Sequence, residues 1–199
     1  MKYFVPSRIV KGVNCGRLFA GDKNEIGLAR TLMKNYSVSK SPEEYIEDAK
    51  DCPSYIEKNM FIMSSLTDEE LNFPLAYSIL LYKDVSQFEI LLRAIYRPQN
   101  FYCVHVDLKS EKNIYDAVSG IAGCFDNVIM TSERFNVSWG KYSILEPEFS
   151  CMKQLLKYKK WKYFINLTGQ EYPLRTNAEL VKILGAFNLA NDVEGTVKR

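Results

Sequence analysis

Asp107 directly follows the apolar run Phe101-Tyr-Cys-Val-His-Val106, and a carboxylate at the end of such a run has two uses. It can accept hydrogen bonds from a ribose hydroxyl or a base N–H, or it can satisfy the backbone amides of the turn that follows. His105, the only histidine, lies two residues earlier on the same strand face. A lone strand histidine is more often a packed core residue than a catalyst, so it is assigned no role. The segment Asn166-Leu-Thr-Gly-Gln-Glu-Tyr-Pro-Leu-Arg-Thr-Asn177 carries Gly169, Gln170, Glu171 and Arg175 between a strand and a helix. That density of polar groups suits recognition of a hydroxyl-rich ligand, or is a solvated loop. The sequence contains no Gly-rich phosphate cradle and no His-Glu-x-x-His. It also lacks an Asp-x-Asp pair, the usual clamp for a divalent metal on a nucleotide-sugar diphosphate.

Strand ends are needed to position such groups. From Phe73 onward, apolar runs alternate with amphipathic stretches. Strands are expected at 75–81, 101–106, 127–130 and 161–166, and helices at 86–96, 111–122, 143–158 and 177–187, the last with Asn177 as N-cap. Pro98 stops the first of these helices, and Pro147 is the weak point of the third. The β-α order predicts an α/β fold with a mostly parallel sheet flanked by helices. Ligands bind beyond the carboxyl ends of such strands, which singles out 80–84, 107–110 and 168–176. The first 70 residues are polar and punctuated, and read as an arm. Within that arm, Ser41-Pro-Glu-Glu44 starts a helix with a capping box, and Thr67-Asp-Glu-Glu70 starts a short one that Pro74 limits.

With 199 residues, 47% hydrophobic and 25% charged, the chain is neither disordered, collagenous nor a coiled coil. Its 26 basic and 24 acidic residues leave a charge of +2, which favours neither nucleic acid nor an anionic membrane. Five cysteines without a C-x-x-C pair argue against zinc or thioredoxin-type chemistry. Sequons at Asn35, Asn136 and Asn166 permit N-glycosylation, and with the cysteines they favour an oxidising lumen. Residues 1–17 hold no apolar run long enough for a signal peptide, and nothing later approaches the ~20 apolar residues of a membrane span.

Three long stretches carry a resemblance. They are Phe73-Pro-Leu-Ala-Tyr-Ser-Ile79, then Leu91 through Arg97-Pro-Gln-Asn-Phe-Tyr-Cys-Val-His-Val-Asp107, and Trp161-Lys-Tyr-Phe-Ile-Asn-Leu-Thr-Gly-Gln-Glu-Tyr-Pro-Leu-Arg-Thr-Asn177. In order and spacing this chain resembles the core-2 branching β-1,6-N-acetylglucosaminyltransferases, a family that takes in the protein O-xylosyltransferases. Val13-Asn-Cys15 and Gly21-Asp22 resemble the family's stem, so the likeness runs from about Val13 to Thr196.

The resemblance implies a GT-A-like fold and an inverting, metal-independent transferase without cofactor. The donor would be UDP-N-acetylglucosamine and the acceptor a galactose or N-acetylgalactosamine hydroxyl of an O-glycan. The setting would be the Golgi lumen, reached through a membrane anchor that this chain does not contain. Leu80 and Asp107 would hold the uridine, and Glu194 would contact the acceptor. The family's cysteine pattern implies Cys103–Cys151 and Cys52–Cys124 bridges, with Cys15 left over. Thr168 stands where the family has a cysteine, which creates the third sequon. The family's catalytic glutamate and its diphosphate-binding Arg and Lys lie further along than Arg199. The chain therefore reads as a stem-like arm over 1–70 and the nucleotide-binding half of a transferase domain over 71–199, truncated after about four strands. On that reading it has no catalytic residue of its own and is inactive alone. The alternative is a non-catalytic nucleotide- or sugar-binding fragment.

Overall fold

The computed structural model describes residues 12–34 and 40–191. They fall into two compact units divided between residues 39 and 40. The smaller holds helices α1 (Cys15–Phe19) and α2 (Lys23–Met33). Asn14 and Asp22 cap them by accepting backbone N–H bonds in their first turns. Glu25 ties the two together by accepting from the Asn14 N–H at 2.8 Å.

The larger unit begins well before residue 70, so the expected arm does not extend that far. Helices α3 (Pro42–Asp48), α4 (Cys52–Lys58) and α5 (Asp68–Asn72) precede the first strand. Tyr45, Tyr55 and Phe61 of this region are buried in the main core. Aromatic side chains of that size supply more apolar area than a solvated arm would leave exposed. The Ser41–Glu44 capping box forms as the sequence indicates. Cys52-Pro53, which looks like an interruption, starts α4: proline is tolerated in a first turn, and Asp51 caps the helix.

The sheet is four-stranded and parallel throughout, in the order β3-β2-β1-β4, with β1 Leu75–Leu81, β2 Phe101–Val106, β3 Val128–Met130 and β4 Tyr163–Thr168. Helices α6 (Val85–Ile95) and α7 (Lys112–Gly123) cover the face that carries Tyr77, Ile79, Tyr102 and Val104. Helix α8 (Glu146–Leu155) covers the opposite face, where Ala76, Cys103, Cys151 and Leu155 pack together. Strand alternation sends successive side chains to these two layers. This α/β architecture is consistent with a GT-A-like fold.

Disulfides join both layers to the sheet or its helices. Cys52 bonds Cys124 at the end of α7, fastening α4 there, with Cα atoms 5.1 Å apart. Cys103 of β2 bonds Cys151 of α8, with Cα atoms 5.4 Å apart. These are the pairs drawn from the resemblance. Cys15 is exposed and unbridged in the smaller unit.

Candidate functional site

The chain order makes β1 the turning point of the sheet. Connections run from β1 to β2 to β3 in one direction over one face, and then return across α8 to β4 on the other side of β1. In an open parallel sheet the ends of the strands flanking such a reversal leave a crevice. Here those ends belong to β1 and β4, with β2 alongside. Leu80 pairs in register with Thr168 on one side and His105 on the other. Gly169 fits because it has no Cβ. A Cβ there would run into Leu81 Cδ1, and the Gly169 N–H donates to the Leu80 carbonyl at 2.8 Å.

Leu80 is half-buried, and Asp107 is 5% exposed at the tip of β2. The Asp107 N–H donates to the Leu81 carbonyl at 2.8 Å, which fixes the carboxylate beside the end of β1. Asp107 Oδ1 accepts the Lys109 N–H at 2.8 Å, so it does cap its own turn. Lys109 Nζ then reaches both carboxylate oxygens at 3.0 Å. The same ammonium donates to Asn136 Oδ1 at 3.0 Å and to the Val137 carbonyl. Tyr82, at the end of β1, places its ring 5.8 Å from that nitrogen.

A loop from Thr131 to Ser138 closes over the end of β2. Its anchors are backbone and histidine. The Thr131 N–H donates to the Val104 carbonyl at 2.9 Å, the Leu108 N–H to the Phe135 carbonyl at 2.9 Å, and the Phe135 N–H to His105 Nε2 at 3.0 Å. Burial pushes the His105 imidazole down to about 4, with Asp107 acting in the opposite sense, so the ring is neutral and can serve as an acceptor. His105 therefore does more than fill the core: it orients the loop that faces Asp107. Arg134 donates from Nε to the Val106 carbonyl at 3.1 Å and from Nη2 to the Asp107 carbonyl at 2.6 Å. Its guanidinium lies over the Tyr115 ring at 4.6 Å. Arg134 and Phe135 escaped the sequence reading, Lys109 fell within the 107–110 window without a role, and Asn136 stood out only as a sequon. The available signal was topological, since a loop leaving β3 must pass the end of its neighbour β2.

The polar segment after β4 does not stay at the crevice. Glu171 accepts from the Thr168 N–H at 2.5 Å and so closes a turn at the strand end. The chain then runs back past Ile165, Tyr77 and Leu180, and a cavity of about 290 Å³ lies among these residues and Tyr172 to Arg175. Asn177 ends up at the amino edge of the sheet, beside Asn100. Arg175, two residues before Asn177, faces Glu179 at 3.5 Å. Asn136 and Asn166 are exposed, the latter within β4. Asn35 and Glu194 lie outside the described residues.

A doubly wound parallel sheet of this kind places its ligand-binding end at the carboxyl ends of the strands, where Asp107 lies. A family model described as "Branch: Core-2/I-Branching enzyme" matches residues 75–199, and the chain belongs to that family. A human beta-1,3-galactosyl-O-glycosyl-glycoprotein beta-1,6-N-acetylglucosaminyltransferase is 40% identical over 187 residues, covering 92% of this chain and 44% of the relative. The Bos taurus protein of the same name is 38% identical over 187 residues with the same coverage. One from Bovine herpesvirus 4 is 36% identical over 193 residues, 94% of this chain and 44% of the relative. The chain thus spans less than half the length of these relatives.

Proposed function

We propose that this chain provides the donor-nucleotide half of a core-2 type β-1,6-N-acetylglucosaminyltransferase. The names of the relatives indicate transfer of N-acetylglucosamine to a β-1,3-galactosyl O-glycan, and UDP-N-acetylglucosamine is the donor this reading assigns. The observation that carries this reading is Asp107, a nearly inaccessible carboxylate held beside Leu80 and Tyr82 at the carboxyl ends of adjacent parallel strands. Leu80 and Tyr82 offer apolar and aromatic surface to a base, and Asp107 offers two acceptors to its N–H or to ribose hydroxyls. The reaction is read as metal-independent, a view supported by the lack of an Asp-x-Asp pair in the sequence. Glu194 is assigned to the acceptor by its motif position alone.

The Golgi lumen is the proposed setting. Two disulfides support an oxidising compartment, as do the sequons at Asn35, Asn136 and Asn166. Among the described residues no helix is long and apolar enough to cross a membrane.

Titration calorimetry with UDP tests the nucleotide reading. Asp107→Asn keeps the shape and removes the charge. Losing a charge-assisted hydrogen bond of this kind costs about 1.5–3 kcal/mol, so affinity should fall by roughly ten-fold or more. Equal affinity in both proteins would reduce Asp107 to the cap of its own turn.

A further inference from the structure

The Asp107 carboxylate already has an occupant. Lys109 Nζ lies 3.0 Å from both oxygens and also donates to Asn136 Oδ1 and the Val137 carbonyl. An ammonium has three protons, so four acceptors in reach use its whole donor capacity. A nucleoside has the same kind of groups to offer Asp107, N–H and O–H donors. Both cannot hold the same lone pairs.

We infer that Lys109 is a displaceable internal ligand of the nucleotide site, which closes the crevice when empty and must leave Asp107 for the nucleoside to bind. This rests on the nucleotide reading of Asp107 and adds a residue that sets the affinity. Three observations carry it. The Asp107 side chain is only 8% exposed with the ammonium against it, so little of the carboxylate is open to a second donor. The Lys109 side chain is 43% exposed against 8% for Asp107, so the lysine is the partner able to swing into solvent. Its other holders, Asn136 and Val137, belong to the loop that covers the end of β2, so releasing Lys109 removes that loop's link to the Asp107 carboxylate while Arg134 still holds the Asp107 carbonyl. The Lys109 main-chain bond to Oδ1 is independent of the ammonium and keeps the carboxylate in place after the switch. Tyr82 gains from the same move, since the cation no longer lies over its ring and the face opens to a base.

Competition of this kind lowers the apparent affinity by the fraction of time the site is closed. A part-exposed ion pair stabilises the closed form modestly, so removing it should tighten binding about three- to ten-fold. Uridine is the probe, because it is neutral and a lost cation cannot weaken it through phosphate attraction. The full chain is titrated with uridine as wild type, Lys109→Met, Lys109→Gln, Lys109→Arg and Asp107→Asn. The expected result is tighter binding for Met and Gln, wild-type affinity for Arg, and loss for Asp107→Asn. A second arm needs no variant. Raising the salt from about 0.05 to about 0.5 M screens the ion pair, so wild-type affinity for uridine should rise. Weaker or unchanged binding in Lys109→Met with no salt effect, while Asp107→Asn still loses uridine, would overturn the Lys109 role and leave the nucleotide reading standing. No uridine binding, or equal binding by wild type and Asp107→Asn, would overturn both.

Discussion

At the residue scale, His105 is the group whose protonation the fold resists. Burial holds its imidazole near 4 against an ordinary 6.5, and its Nε2 accepts the Phe135 N–H that fastens the loop over β2. The unfolded chain takes up this proton at a higher pH than the folded one. The neutral ring's contribution is therefore fully present above about pH 6.5 and declines as pH falls toward about 4. The urea midpoint should drop between about pH 7.5 and about pH 5, and His105→Gln, whose amide oxygen can still accept from Phe135, should show a smaller drop. Identical pH dependence in both proteins would show that His105 does not control it. Gly169 acts at the same scale without any chemistry. A Cβ at 169 would collide with Leu81 Cδ1, so that buried side chain would have to shift, a demand that reading the sequence as a polar loop does not reveal.

At the scale of elements, a buried polar chain fastens helix α9 (Asn177–Ala186) to the foot of the sheet. Asn177 Nδ2 donates to Glu70 Oε1 at 2.7 Å, Asn100 Nδ2 donates to Asn177 Oδ1 at 2.8 Å, and the Leu75 N–H donates to Asn100 Oδ1 at 2.9 Å. Asn177→Ala would strand two buried groups at once, so unfolding free energy should fall by roughly 2–4 kcal/mol in urea denaturation, where a loss under about 0.5 kcal/mol would show that solvent replaces the missing amide. The sequence points to Asn177 as the N-cap, but the cap is Thr176, whose capping box with Glu179 frees Asn177 to turn inward. Its partners are 77 and 107 residues away, which no local pattern encodes. Strands β1 and β2 are legible because buried parallel strands are continuous apolar runs. Strand β4 starts two residues later than the pattern suggests: the Trp161 indole donates to the Leu155 carbonyl at 2.9 Å and closes the turn after α8. Helix α8 starts at Glu146 because Pro147, lacking an N–H, fits only its first turn. At the site, Leu80, Asp107 and Lys109 fall within the strand-end windows, whereas Arg134 depends on a loop whose course is set by sheet order.

At the scale of the whole molecule, the groups around the crevice decide what the chain can do alone. An inverting transfer needs a base within hydrogen-bond reach of the attacking hydroxyl and cationic groups or a metal on the leaving diphosphate. Of the carboxylates described here, Asp107 is held by Lys109, and Glu171 is turned back onto the Thr168 N–H. Of the cations named above, Arg134 donates to the carbonyls of Val106 and Asp107, and Arg175 is paired with Glu179. Lys109, once displaced, is a single flexible ammonium, a weak match for two phosphates. Neither Asp107 nor Glu171 is thus presented as a base in this conformation. The purified 199-residue chain should bind UDP yet transfer no N-acetylglucosamine from UDP-N-acetylglucosamine to a β-1,3-galactosyl O-glycan acceptor, with or without manganese. Product formation followed by mass spectrometry checks this. Turnover abolished by Glu171→Gln would overturn it, and would mean that the turn at the end of β4 opens to present a base.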